Sequence, residues 1–206
     1  MPHFENCYIM QKEDIRHFAN TLADGFSEYV LFRYICNGEY KQSKMSQFWT
    51  TSITTLDNNA ICIADSKNIN SVLIYLPPTS KEPGLIDYFK AGAIKMLFKV
   101  GLKSSLKLRK FDLEAKNIAK PHINENTGYI LAFATQKNKQ GQHYGKPLIS
   151  ALTEYLDATG QNCYLETLKA GNVEFYKQFS FELKEEKTMK LGNLKLYTMY
   201  RPGKEK

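Results

Sequence analysis

The chain has 206 residues, 43% hydrophobic and 24% charged, with a formal net charge of +7 and a pI near 9.1. That size fits a single domain spanning 1–206 with a sizeable core, and no apolar run approaches the roughly 18 to 20 residues of a membrane span. Cys7, Cys36, Cys62 and Cys163 are scattered, with no CxxC pair, which excludes a knuckle-type metal site and leaves reduced thiols as the simplest reading.

The opening Met1-Pro2-His3-Phe4-Glu5-Asn6 has neither a basic n-region nor an apolar h-region, so a cytoplasmic protein is expected. Residues 12–31 read as helix, with Ile15, Phe18, Ala19 and Leu22 at three- and four-residue spacing. Asp24 to Tyr29 interrupts the pattern, and Val30 to Ile35 resumes an apolar stretch. Ala60–Ala64 and Val72–Leu76 read as an antiparallel hairpin closed by Pro77-Pro78. Helices are expected over 85–100, where Gly92 weakens the pattern, and over 102–118.

A strand over 129–135 then leads to a polar turn and a helix over 146–158, with Pro147 in its first turn and Gly160 as C-terminal cap. The strand 163–167, a short helix over 172–178 and two strands over 181–189 and 194–200 complete the chain. The order predicts an α/β (α+β) fold with a mixed sheet flanked by helices.

Excess positive charge lies between Lys81 and Lys120, where Lys95, Lys99, Lys103, Lys107 and Lys110 recur at helical spacing. A solvated helix face explains the stripe. Nucleic-acid binding would need interleaved aromatics or an arginine cluster, and neither is present.

The most informative segment is Gln140-Gly141-Gln142-His143-Tyr144-Gly145-Lys146 between strand and helix. Free N–H groups and the dipole at a helix N-terminus favour an anion, so the expected ligand carries a pyrophosphate. A Walker loop fails, because Gly145-Lys146 is followed by Pro147 and no glycine stands five positions upstream. A dinucleotide fingerprint fails on glycine spacing. A coenzyme A loop of the form Gln/Arg-x-x-Gly-x-Gly/Ala matches at Gln140 and Gly145, with His143 at the first glycine position.

Downstream come Leu165-Glu166-Thr167, Asn172, Phe175-Tyr176 and Phe179-Ser180-Phe181. Together these resemble the GNAT superfamily of N-acetyltransferases, in particular its puromycin acetyltransferase-like branch. Leu76-Pro77-Pro78 and Tyr200-Arg201-Pro202 are also similar to that branch. The resemblance implies the GNAT acyl-CoA N-acyltransferase fold, with a mostly antiparallel central sheet, and acetyl-CoA as co-substrate. It implies that backbone N–H groups of Phe133, Ala134 and Thr135 hold the pantetheine arm and polarise the thioester. Those of Gly141, Gln142, His143, Tyr144, Gly145 and Lys146, beside Gln140, would take the pyrophosphate, and Asn172 would contact the cofactor arm.

Tyr176 matches the family tyrosine that protonates the departing thiolate. Glu166, on the same strand face as Tyr164, is the first candidate for general base, against a purely structural carboxylate; His122 is the alternative base. His3 and His17 have no partner pattern, and no metal ligands are expected. His143 and Ser180 replace family glycines, at a cost of about 1 kcal/mol if either backbone needs a positive φ. The expected partner is a small-molecule amine that attacks the thioester directly in a ternary complex, and a homodimer stays open. Phe26, Tyr29, Phe32 and Tyr34 are read as core aromatics, with an acceptor wall as the second reading. A non-catalytic acyl-CoA-binding module and a basic nucleic-acid-binding protein are the rival classes.

Overall fold

The computed structural model describes residues 4, 6–81, 83–92 and 100–204. The strands are β1 (Tyr8–Ile9), β2 (Ile61–Ala64), β3 (Ser71–Leu76), β4 (Thr127–Thr135), β5 (Asn162–Thr167), β6 (Glu182–Thr188) and β7 (Lys195–Arg201). They form a seven-stranded sheet in the order β1-β2-β3-β4-β5-β7-β6. Every neighbouring pair is antiparallel except β4–β5. The helices are α1 (Ile15–Gly25), α2 (Val30–Ile35), α3 (Gln42–Thr54), α4 (Leu85–Lys90), α5 (Leu102–Ala119), α6 (Lys146–Thr159) and α7 (Ala170–Lys177). The expected mixed, mostly antiparallel sheet flanked by helices is therefore what forms. Among the described residues no helix is long and apolar enough to cross a membrane.

The two faces of the sheet bury different helices. Leu148, Ile149, Leu152 and Leu156 of α6 and Val173 and Tyr176 of α7 pack on Ile63, Leu73, Ile130 and Leu165. On the other face, Phe18 and Leu22 of α1 and Met45, Trp49 and Ile53 of α3 pack on Cys62, Val72, Ile74, Ala132 and Ala134. Burial of this apolar surface is the main drive for the architecture.

Differences from the sequence expectations have local causes. The helix expected over 12–31 is a 3-10 turn, Lys12–Asp14, followed by α1, which stops at Gly25. Gly25 lies flush against β4, where an added Cβ would stand 2.6 Å from the Thr135 carbonyl oxygen. Helix α3 was not expected, because its Ser and Thr content is poor for helix propensity. Its hydroxyls bond back into the helix, Thr50 to the Ser46 carbonyl, Ser52 to Phe48 and Thr54 to Thr50, so they leave the ladder intact. The helix expected over 85–100 is described only as α4; Gly92 follows at φ 86, and 93–99 lie outside the described residues. Lys95 and Lys99 fall there too. Lys107 is spent internally, donating to the Tyr34 carbonyl and Asn37 Oδ1 and sitting over the Tyr34 ring.

A register shift shapes the centre of the sheet. Tyr75 pairs with Ile130, but Ile74 pairs with Ala132, so Leu131 is the extra residue of a β-bulge. Ile130 faces the α6 side while Leu131 and Ala132 both face the α1 side. The bulge thus reverses the alternation of β4 and increases its local twist.

His143 and Ser180 both have positive φ, 63° and 64°. The conditional expectation for these two positions is met, and each non-glycine residue there carries left-handed strain. Ser180 is exposed and follows α7. Replacing Ser180 by glycine is expected to raise the thermal midpoint by about 2–4 °C, the equivalent of about 1 kcal/mol in a chain of this size. A calorimetric scan checks this, and an unchanged or lower midpoint counts against the strain.

Candidate functional site

The site begins where the two central strands part. β4 and β5 pair only at Thr127–Asn162, Gly128–Cys163 and Tyr129–Tyr164, although β4 continues to Thr135 and β5 to Thr167. Beyond Tyr129 the β5-facing edge of β4 has no strand partner among the described residues. Gln136 donates its amide to the Asn70 carbonyl, and the Ala134 carbonyl accepts from Ser71 Oγ, so both face β3. Strand alternation then aims the N–H groups of Phe133 and Thr135 into the gap. Ala134 presents its polar backbone to β3 and its methyl to the α1 face.

At the end of β4 the chain turns through Lys137–Lys139 and 140–145 into α6. Among the described residues, the amides of Gly141, His143, Tyr144 and Gly145 have no protein acceptor. Gln142 and Lys146 spend theirs on the Lys139 and His143 carbonyls. Four unpaired N–H groups beside a helix N-terminus suit a pyrophosphate on charge and hydrogen bonding alike. The Gln140 side chain straps the loop down, donating to the Gly25 and Thr135 carbonyls at 3.3 and 3.1 Å. Its role here is to hold the loop shape.

Gly145 has φ −80° and needs no special backbone freedom. It is required for space, because an added Cβ would stand 2.8 Å from Phe133 Cζ. The Phe133 ring in turn packs on Phe175 and Tyr176, with centroids 6.0 and 6.4 Å away. A Gly145→Val variant is expected to bind acetyl-CoA about 10- to 100-fold more weakly, from overpacking of about 1–3 kcal/mol at the loop. Isothermal calorimetry measures this, and an unchanged affinity would remove the loop from the cofactor site.

Tyr176 sits on α7 facing the sheet and is only 6% exposed. Its ring is bracketed by Phe133, Phe175 and Phe181. The hydroxyl makes no hydrogen bond with the described residues. Burial, with smaller contributions from Tyr29 and Cys163, pushes its pKa well above the usual phenol value, so it stays protonated as a donor. Asn172 donates from Nδ2 to Thr167 Oγ1 at 2.9 Å. Thr167 Oγ1 is also 3.3 Å from the Tyr29 hydroxyl, which accepts the Leu168 amide at 2.6 Å. Of the four N-terminal aromatics, Tyr29 is the one that reaches the end of β5. Phe26 stacks on Trp49, Phe32 is buried beside both, and Tyr34 lies under Lys107.

Glu166 lies on the opposite face of β5. Its Oε1 accepts a hydrogen bond of 2.8 Å from the Tyr129 hydroxyl, across the last rung of the β4–β5 ladder. Its Oε2 is sealed from solvent and has no partner among the described residues. Burial pushes its pKa up to about 7, opposed by the Tyr129 hydrogen bond, raised by Asp112 and lowered by Lys116. A carboxyl poised near neutrality is suited to proton transfer. His122, the alternative base, instead pairs with Glu185 at 3.3 Å. Tyr129 and Thr167 were missed in the sequence. Only the alternation of Tyr164 and Glu166 hinted that polar groups share this face.

The Pro77-Pro78 turn leaves β3 beside Tyr129, at the paired end of the gap, and is tied to the 57–59 turn through Asn59 and Thr79. Among the described residues no group of three or more His, Cys, Asp or Glu stands close enough to hold a metal ion.

Known proteins share this fold. Residues 109–181, from α5 through the gap and the amide loop to Phe181, match the sequence model of the Acetyltransferase (GNAT) family. No curated protein matches the sequence. A Corynebacterium glutamicum structure described as a histone acetyltransferase and related acetyltransferase is similar, with 13% identity and a TM-score of 0.66. The match covers 98% of this chain and 97% of that one. The C-terminal condensation domain of Ebony, in complex with beta-alanyl-dopamine, has 8% identity and a TM-score of 0.65, covering 95% of this chain and 97% of its own. The ribosomal-protein-S18-alanine N-acetyltransferase from Escherichia coli has 10% identity and a TM-score of 0.51, covering 97% and 94%. The architecture is the GNAT acyltransferase fold. The sequence match to GNAT acetyltransferases falls on the segment that builds the gap, the free amides and Tyr176.

Proposed function

We propose that this chain is an acetyl-CoA-dependent N-acetyltransferase acting on a primary amine of a small molecule. The observation that carries the reading is the set of four unpaired amides at the α6 N-terminus, continuous with the unpaired edge of β4. The amides of Gly141, His143, Tyr144 and Gly145 hold the diphosphate. Those of Phe133 and Thr135 hold the pantetheine arm, and Asn172 adds a side-chain amide to it. Glu166 takes the proton of the incoming amine as its nitrogen bonds to the thioester carbonyl carbon. When the carbon–sulfur bond breaks, the Tyr176 hydroxyl gives its proton to the leaving thiolate. The burial that raises the phenol also raises a thiolate's proton affinity in the same site, so the pair stays matched.

The packing of α2 on the β6–β7 turn, through Leu31, Ile35 and Leu194, favours a compact acceptor over an extended polypeptide. The motifs Leu76-Pro77-Pro78 and Tyr200-Arg201-Pro202 support a reading within the puromycin acetyltransferase-like branch. Incubation with acetyl-CoA and a panel of amines, following free thiol release, tests the proposal. Amine-dependent release supports it. Tight acetyl-CoA binding without release on any amine would instead identify a binding module, for which the strained His143 in the loop is the specific observation.

A further inference from the structure

We propose that Tyr129 is the positioning residue for the carboxylate of Glu166, and that Glu166 Oε2 with the Tyr164 hydroxyl forms the seat for the acceptor's cationic amine nitrogen. This rests on the acetyltransferase reading and deepens it by assigning the charge state of the acceptor and the atoms that meet it.

The seat is built across one rung of the sheet. Tyr129 and Tyr164 are paired in register on β4 and β5, the last pair before the strands part. Their rings stack at 6.1 Å with an interplanar angle of 27°. Glu166, two residues beyond Tyr164, projects on the same strand face. The Tyr129 hydroxyl donates to Oε1 and fixes the carboxylate plane. This leaves two sealed polar atoms without partners among the described residues, Glu166 Oε2 and the Tyr164 oxygen, and Tyr164 is 3% exposed. Unpaired buried polar groups in native structures are uncommon and point to a missing partner.

A primary ammonium supplies what these atoms lack. It carries three N–H donors and a positive charge, against one carboxylate oxygen and one phenolic oxygen. The stacked phenol rings add a cation-favouring surface. A second carboxylate, Asp112 on α5, lies near enough to act on Glu166, with Lys116 of α5 opposing it. Glu185 of β6 acts on Tyr164, and Glu166 itself acts on Tyr29. Carboxylates on α5, β5 and β6 thus act on the seat, while Lys116 pairs with Asp112 and both His122 and Lys187 pair with Glu185.

Chemically, the seat carries the nitrogen in as the ammonium. Glu166 Oε2 takes one proton as the nitrogen bonds to the thioester carbonyl carbon. The nitrogen's second surplus proton passes to the Tyr176 oxygen once that group has protonated the thiolate, so Glu166 ends protonated and Tyr176 unchanged.

The test uses the full chain and the best amine from the panel. Tyr129→Phe removes the donor to the charged carboxylate, so the acid limb of kcat/KM for the amine is expected to move up by about one pH unit. The high-pH plateau should stay within a few-fold. A merely structural role for Tyr129 would lower the whole profile without moving the limb. Tyr164→Phe is expected to raise the amine KM about ten-fold, the loss of one hydrogen bond to a charged group, with the acetyl-CoA Kd unchanged.

If the tyrosine variants do not fold, the wild-type enzyme still decides. A tertiary-amine analogue of the acceptor should compete more weakly as pH falls through the limb, while its neutral alcohol isostere should not change. An unmoved limb in Tyr129→Phe, or equal pH dependence for the two analogues, overturns the seat. Neither result touches the acetyltransferase reading, which fails only if no amine promotes thiol release.

Discussion

Replacing Tyr176 by phenylalanine is expected to lower kcat about 100-fold or more while leaving the acetyl-CoA dissociation constant within about two-fold, the usual scale for losing a general acid. The separation follows from where the two parts of the side chain sit. The ring packs against Phe133, Phe175 and Phe181, and phenylalanine keeps that packing. The hydroxyl has no hydrogen-bond partner among the described residues, so its removal leaves no protein group unsatisfied and costs the fold little. The thiolate, however, then departs without a proton. Pre-steady-state kinetics with acetyl-CoA and the best amine, beside calorimetry, measures both quantities. An unchanged turnover would strip Tyr176 of its role.

The second large effect is expected for Glu166→Gln. Turnover at pH 8 should fall at least 100-fold, because glutamine accepts the Tyr129 hydrogen bond but no proton. In the wild type, activity should rise with pH through about 7, the value to which burial lifts this carboxyl. Stability should move the other way. Below about 4.5 both folded and unfolded chains hold the proton. Between there and about 7 the unfolded chain releases it while the folded chain keeps it, so the folded state loses stability as pH rises.

The glutamine variant has no such dependence. Relative to wild type it should gain roughly 3 kcal/mol in unfolding free energy between pH 4 and pH 8. Denaturant titrations at the two pH values check this. Parallel pH dependence in both proteins would mean that Glu166 is hydrated and ordinary. Lower activity with higher stability at alkaline pH would mark a carboxyl kept buried for function.

The sheet and most helices were legible in the sequence because their signals are local. The short apolar runs at 72–76 and 129–135, the helical stripe through Leu148, Leu152 and Leu156, and the glycine cap at Gly160 each point to one structure. The left-handed cap is realised, with φ 67° at Gly160. Helix α3 was not legible because its apolar residues are few, Met45, Trp49 and Ile53 at every fourth position amid Ser and Thr. That spacing marks a buried stripe only once a sheet face is there to receive it.

The site was half legible. Its loop and Tyr176 belong to one contiguous stretch with recognisable motifs. Gln140 shows the limit of motif reading, since its side chain straps backbone carbonyls. The partnership of Tyr129 with Glu166 was invisible for a different reason. It spans 37 residues and depends on the parallel register that stops at Tyr129. The bulge at Leu131, which reverses the strand's faces, leaves no mark in residue types at all.

The seam between the two leaves of the sheet is only three rungs long. A visitor that carries its own amide groups can lengthen that seam by acting as a short surrogate strand. The heat resistance of the protein should then track the amide-bearing portion of whatever fills the cleft. Coenzyme A would protect more than its nucleotide half alone, even at equal site occupancy, because only the complete molecule stitches one leaf to the other.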